Sequence, residues 1–339
     1  MVKMKLVIGC MSICAVICLL IGCTLTTRHN KTMPQQQMQG TLYASFDISP
    51  DGRRIVFSGA SSKGRGLYLL EVQTCEVTRL TDPSGYENYP TFSPDGKTIV
   101  YQSALGLDKP RYLFLRSLDG KLVQQITHTT NTQDSYPFFF RDGKRVAFAR
   151  AQTFYPKARG ENTWDNYDVY MINIDGKNLR RLTYGNYHGV IRPKPYPDGK
   201  HILFEQTVVT ASSSGMHLAK VNTSGSGTVQ AVLRFGTFAD FSPYFFQNQN
   251  QIAFCSNSEG TVGLYKAVLN GNSPVLLVPD QSGAGASNPV VSPDGKSIYY
   301  LTVYNGGLWK VGADGSNPKQ IADSGLFSDP MHWKSASTQ

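Results

Sequence analysis

The sequence predicts an all-β fold, a six-bladed β-propeller with four antiparallel strands per blade, and three observations predict it. A phrase of the form Pro-x-x-Ser-Pro-Asp-Gly-Lys-x-Ile recurs six times, intact or eroded, with no gap inside it. The aliphatic residue that closes each copy (Ile55, Ile99, Val146, Ile202, Ile252, Ile298) returns after 44, 47, 56, 50 and 46 residues, a period of propeller blades or stacked arrays. Each copy is followed by a second pair of short alternating segments separated by turns such as Asp119-Gly120, Asp175-Gly176, Asn270-Gly271 and Asp314-Gly315.

The phrase itself reads as a hairpin. Pro presets φ for the first corner, Asp hydrogen-bonds the following backbone, and Gly takes the left-handed position that other residues resist. The copies run from Phe46 to Ile55, Pro90 to Ile99, Pro137 to Val146, Pro193 to Ile202 and Pro289 to Ile298. Between Pro243 and Ile252 the turn has decayed to Gln247-Asn248-Gln249-Asn250 but keeps the count. A short strand such as Thr91-Phe92 precedes the turn and an alternating one such as Thr98-Ile99-Val100-Tyr101 follows it. Third strands begin at Leu67-Tyr68-Leu69, Tyr112-Leu113-Phe114, Val169-Tyr170-Met171, Leu264-Tyr265 and Leu308-Trp309; fourth strands end in Arg79-Leu80-Thr81, Gln125-Ile126-Thr127 and Arg181-Leu182-Thr183. Four-stranded sheets that cannot bury their own faces pack on one another, and six close a ring that protects edges an open stack exposes. The fragment Asp329-Pro330-Met331-His332-Trp333 looks like the opening of a seventh unit, which predicts that the C-terminal segment docks on the first blade and completes its edge.

These repeats resemble the propeller repeats of the TolB family of periplasmic proteins, also found in the noncatalytic domain of prolyl-oligopeptidase-like enzymes. The resemblance covers roughly Leu42 to Trp333. It implies the propeller fold and a binding role in the cell envelope. TolB-like proteins carry a further α/β domain before the propeller, for which the segment preceding Leu42 leaves no room.

The N-terminal residues suggest export. Lys3 and Lys5 precede an apolar run from Leu6 to Gly22, short for a membrane span but suited to the core of a signal peptide. The run ends Leu20-Ile21-Gly22-Cys23, which resembles the lipobox of bacterial lipoproteins and makes Cys23 the expected lipidation point; Thr24 beside it resembles the pattern of outer-membrane lipoproteins. Stable attachment needs more than one acyl chain, a condition met by such lipoproteins. The expected organisation is a signal peptide at 1–22, a polar, Gln-rich tether at 23–40, the propeller at 41–333 and a tail at 334–339. Of six cysteines, Cys10, Cys14 and Cys18 leave with the signal and Cys23 takes lipid. Cys75 and Cys255 lie on different blades, held apart as free thiols. The formal charge of +9 is spread through turns at Lys97, Lys144, Lys200 and Lys296, a solvated rim, and an exported protein has no nucleic-acid partner.

Motifs of catalysis are missing from the sequence: no strand-flanked Gly-x-Ser-x-Gly elbow, no His-Glu-x-x-His, no phosphate or calcium loop. The histidines (His128, His188, His201, His217, His332) are dispersed, so no catalytic residue, metal site or cofactor is assigned. Tyr68, Tyr170, Tyr265 and Trp309 recur at one blade position and read as inter-sheet packing; Tyr89 and Tyr136, before the inner-strand prolines, read as packing too. Topology sends the second-to-third loops, Ala104 to Pro110, Ala151 to Asp168 and Thr207 to Gly215, and the blade-to-blade connectors to one face, leaving the short Asp-Gly turns on the other. Loops on a rigid scaffold are where binding concentrates. The longest break in the repeat, Ala151 to Asp168, reads as an irregular loop in which Phe154, Tyr155 and Trp164 sit among Lys157, Arg159 and Glu161, a mixture suited to an interface. The expected binding residues are Tyr86, Glu87, Asp134, Tyr155, Trp164, His188, Arg192 and Asp240. The function these features imply is a lipid-anchored, extracytoplasmic, noncatalytic binding platform for an envelope protein or cell-wall component; the alternative is a polysaccharide lyase or hydrolase using the axial mouth.

Overall fold

Each intact copy of the repeated phrase folds as a turn closed by its own side chains. In the second blade Gly96 N–H donates to Ser93 O at 2.8 Å, Ser93 Oγ donates to Asp95 Oδ1 at 2.6 Å, and the same carboxyl oxygen accepts the Lys97 N–H at 3.0 Å. Those donors hold the Asp95 carboxyl below its ordinary range. Gly96 stands at φ +68° and its counterpart Gly295 at +69°, the left-handed region that glycine enters without a Cβ clash. Where the serine is lost, as at Phe140, the rest survives: Asp142 still accepts the Lys144 N–H at 2.8 Å and adds a 2.7 Å ion pair to Arg145.

The computed structural model describes residues 44–334 apart from 62–63, 83–84, 107–108, 156–162, 210–213, 234–238, 248–249, 259, 270–273, 281–284 and 303–305. Cys23 and the expected signal and tether therefore lie outside the described residues. Six four-stranded antiparallel sheets, each in sequential strand order, make six blades. Their innermost strands are Phe46–Ile48, Asn88–Phe92, Gln133–Phe139, Val190–Pro195, Asp240–Phe245 and Ala286–Val291. These strands touch in chain order, and the sixth meets the first. The molecule is a six-bladed β-propeller, as the repeat predicted.

Packing repeats with the chain. Directly opposed aromatic pairs on the second and third strands, Phe57–Tyr68, Tyr101–Phe114, Phe148–Tyr170 and Phe254–Tyr265, place ring centroids 5.6 to 5.8 Å apart in four of the blades. Such cross-strand pairs stabilise a sheet beyond their buried area. The threonine ending the fourth strand closes the outer edge: Thr81, Thr127 and Thr183 accept the backbone N–H of Leu67, Leu113 and Val169 at 2.8, 2.9 and 2.9 Å. Cys75 and Cys255 are free thiols.

The ring closes by side-chain packing between complete sheets. Phe46, Ile55, Phe57 and Leu70 of the first blade form one core with Val290, Tyr299, Leu301 and Leu308 of the sixth, together with Leu326 and Phe327. The last two belong to a one-turn helix, Gly325–Ser328, whose Phe327 meets Phe57 edge-on at 5.5 Å. Pro330 covers Gly59 so tightly that a Cβ there would stand 2.5 Å from its ring. The expected docking of the C-terminal segment on the first blade is observed. The expected completion of that blade's edge is not, because among the described residues the segment forms a helical turn that packs Leu326 and Phe327 against the blade and adds no strand to its sheet.

Two sequence expectations about loops are corrected. The stretch 151–168 is, in its described part, a continuation of the two middle strands of blade 3, Arg145–Tyr155 and Thr163–Asn173, paired as far as Tyr155 with Thr163. The equivalent strands of blade 4, His201–Val209 and Ser214–Asn222, extend likewise into the expected 207–215 loop. Lys157, Arg159 and Glu161 lie outside the described residues.

Candidate functional site: the axial mouth

The inner strands begin at the face carrying the connectors and end at the face carrying the Asp-Gly turns. Near the start of five of them the pairing slips by one residue, and the residue at the slip takes a left-handed conformation: Tyr89 at φ +51°, Tyr136 at +56°, Arg192 at +47°, Ser242 at +54° and Asn288 at +48°. Each precedes a proline, a setting that disfavours compact backbone, and all but Asn288 are side chains for which positive φ is costly. Bulges re-aim side chains and concentrate next to functional sites. Here they aim one residue per blade at the axis.

With Ser45 from the first blade, these residues make a ring. Tyr89 and Tyr136 pack at 4.3 Å between centroids, and the Arg192 guanidinium lies 5.7 Å from the Tyr136 ring. Asn288 Nδ2 donates to Ala44 O at 3.0 Å, and Ser45 Oγ accepts the Tyr89 N–H at 2.8 Å. Two residues further along, Asp47, Thr91, Phe138, Lys194, Tyr244 and Val290 form a second tier. Lys194 Nζ sits 3.7 Å from the Phe138 ring centroid and 4.5 Å from that of Tyr244; Tyr244 Oη donates to Asp47 Oδ1 at 2.9 Å. A cavity of about 60 Å³ lies between the tiers, walled by Pro90, Pro137, Pro193, Pro243 and Pro289 and reaching Thr91, Phe138, Lys194 and Val290 at its base.

Charge in this site is buried and compensated in part. Arg192 Nη1 donates to Glu205 at 3.3 Å, and Glu205 Oε1 also accepts the Ser242 N–H at 2.9 Å. Asp47 accepts the Phe92 N–H at 2.9 Å as well as the tyrosine hydroxyl. Burial pushes the Asp47 and Glu205 carboxyls up, against the pull of Lys194 and Arg192 respectively. Burial likewise drives the Lys194 ammonium down to about 7, with Asp47 pulling it back.

Of the residues expected to bind, only Arg192 belongs to this ring. Asp134 is wholly buried and chelated by Arg150 at 2.6 and 2.9 Å; Asp240 is wholly buried and accepts from Ser256 Oγ at 2.8 Å. Trp164 is 9% exposed and packs in the core between blades 3 and 4, against Phe154 at 4.9 Å. These three are structural, because strands packed between neighbouring blades bury side chains on both faces, Gln133 and Ser135 beside Asp134 and Phe241 beside Asp240 being buried too; they are not free contacts. Tyr155 ends its strand beside Thr163. Tyr86 bridges to Arg65, and the neighbouring half-buried Glu87 has its carboxyl pushed up to about 7 by burial, against a Thr81 hydrogen bond and Arg116. His188 is exposed, 3.2 Å from Asp165. Tyr89 and Tyr136, taken as packing, line the mouth. The signal that marks them is the residue before each inner-strand proline, recurrent in position and variable in type.

No family model matches the chain. Its sequence is 28% identical over 247 residues to the Tol-Pal system protein TolB of Francisella tularensis subsp. mediasiatica, covering 72% of this chain and 52% of that protein. This chain is similar to TolB. It spans about half the length of the curated relatives it matches. Among solved structures, TolB from Acinetobacter baumannii superposes with a TM-score of 0.63 at 19% identity, over 80% of this chain and 64% of that one. An oligogalacturonate lyase from Vibrio parahaemolyticus superposes at 0.58 with 14% identity, over 83% and 77%. Both are likenesses of fold. Among the described residues no three His, Cys, Asp or Glu side chains come together as a metal site, and no helix is long and apolar enough to cross a membrane.

Proposed function

We propose that this chain is a noncatalytic docking platform of the cell envelope, held to a membrane through lipid on Cys23, which receives an envelope protein on the face around its axial mouth. The observation that carries the reading is the ring of bulge residues. Five blades adopt the same left-handed backbone and present Tyr, Tyr, Arg, Ser and Asn, so the geometry repeats while the chemistry does not. Similarity to a protein named for the Tol-Pal system supports the envelope setting. Leu105, 94% exposed, and the partly exposed Phe154 stand on second-to-third hairpins of blades 2 and 3, where apolar side chains suit a protein partner.

Crosslinking of the full chain in its native envelope, followed by identification of the captured protein, tests this. Tyr89→Ala with Tyr136→Ala is expected to weaken capture by at least ~10-fold, the scale of an aromatic hot spot. Lys97→Ala with Lys296→Ala on the opposite face is expected to leave it unchanged. Equal loss from both pairs, or none from either, sinks the assignment to this face. For the anchor, Cys23→Ser is expected to leave the protein unprocessed, with a changed mass, or released from the membrane and so out of the detergent phase; unchanged partitioning and mass contradict lipidation.

A further inference from the structure

We infer that the axial cavity is a receptor for a single carboxylate of the docked partner, from an acidic side chain or a chain terminus, with Lys194 Nζ as its anchor. This deepens the docking reading above and rests on it for the source of the carboxylate.

The argument begins with donors. The walls at Pro90, Pro137, Pro193, Pro243 and Pro289 have no backbone N–H to offer, which leaves side chains as the main donors to an anion entering the mouth. Lys194 carries three at the base. Both neighbouring carboxylates are engaged elsewhere: Asp47 by Tyr244 Oη and the Phe92 N–H, Glu205 by Arg192 and the Ser242 N–H. Among the described residues the Lys194 ammonium donates no hydrogen bond and has no carboxylate oxygen within ion-pair distance, its near contacts being the faces of Phe138 and Tyr244. Ring faces attract a cation but do not satisfy its N–H groups, and this half-buried ammonium, open to the mouth, has no acceptor beside it among the described residues. A carboxylate arriving from the mouth supplies that partner. About 60 Å³ admits a few water-sized groups, which fits a carboxylate on a methylene stem.

Binding is then linked to protonation. The ammonium, low because it is buried, is the binding form, so affinity is highest below pH 7 and falls as pH rises through it. The charged and titratable groups facing Lys194 are Asp47 on the first inner strand, Arg192 on its own strand, Glu205 on the strand beside it and Tyr244 on the next blade. Arg192 and Tyr244 keep their protons across pH 6 to 8. Any protonation of Asp47 or Glu205 on acidification removes negative charge and acts in the same direction as Lys194.

The test uses the full chain, side-chain NMR of labelled lysine, and two probes, N-acetylglycine and N-acetylglycinamide. The acid is expected to bind about tenfold more tightly at pH 6 than at pH 8 and to raise the Lys194 titration midpoint by at least about one unit, while the amide does neither. Lys194→Met is expected to abolish binding of the acid. Lys194→Arg keeps the charge at every pH, and is expected to retain binding and lose most of the pH step. Amide binding equal to acid binding, or acid binding unchanged in Lys194→Met, overturns the inference, as does the full pH step persisting in Lys194→Arg. A captured partner whose C-terminus is amidated, or whose acidic residues are changed to amides, separates the two sources. Capture that is indifferent to Lys194→Met leaves the docking face standing and removes the receptor; probe binding without any captured protein does the reverse.

Discussion

The two ends of the inner strands are built on opposite rules. At one end the Ser-Pro-Asp-Gly turn fixes both backbone and side chains: the serine, aspartate and glycine bond to one another, so the same letters recur. At the other end the left-handed bulge fixes only backbone and leaves the side chain free to differ, from Tyr89 to Asn288. A repeat conserves letters where side chains make the structure, and conserves only geometry where they face a cavity. The bulged end is where specificity can be written.

The sharpest test of this contrast compares two aspartates. Asp134→Ala, near the bulged end, strands a buried Arg150 and is expected to lower stability by about 3–5 kcal/mol, read from the denaturant midpoint. Asp95→Ala, in the exposed turn, removes two hydrogen bonds and is expected to cost about 1–2 kcal/mol. Equal losses break the comparison.

Glycines at the turn end come next. Gly96→Ala and Gly295→Ala both force a side chain to positive φ, for about 1–2 kcal/mol each. A Cβ at 96 also comes within 3.2 Å of Pro50 on the neighbouring blade, whereas nothing lies within 4 Å at 295. Gly96→Ala is therefore expected to melt lower than Gly295→Ala; the reverse order means the turns are not in register across blades.

The smallest effect is one of pH. Glu87 has its carboxyl raised from 4.5 to about 7 in the fold, so between those values the unfolded chain has released a proton that the folded chain still holds. This group's contribution is intact below about pH 4.5 and declines as pH rises to about 7. Glu87→Gln is expected to narrow the difference in Tm between pH 5 and pH 7.5, and an unchanged difference contradicts the burial of that carboxyl.

The blades were legible because their turns are spelled by residues with special backbone roles: Pro50, Asp95 and Gly295 announce themselves. The mouth was not. A bulge at Tyr89 or Arg192 is set by register between strands, which composition does not record, and proline after it is as common in ordinary edges and turns. Asp134 and Trp164 are hidden for a related reason: a charged residue or a tryptophan in an apparent loop reads as a contact, while packing between blades buries both. The helix at Gly325–Ser328 was masked by the likeness of 329–333 to another repeat.

Every sheet is one uninterrupted stretch of chain, and among the described residues no blade borrows a strand from its neighbour across the join where Asn288 reaches Ala44. A complete blade is therefore the smallest piece that can be inserted or deleted without orphaning a strand, which makes duplication the natural route by which such a ring grows. It also makes the join movable. A circular permutant that links the C-terminal segment to residue 44 and opens the chain between blades cuts no sheet, and each such permutant relocates the one discontinuity in an otherwise continuous wheel.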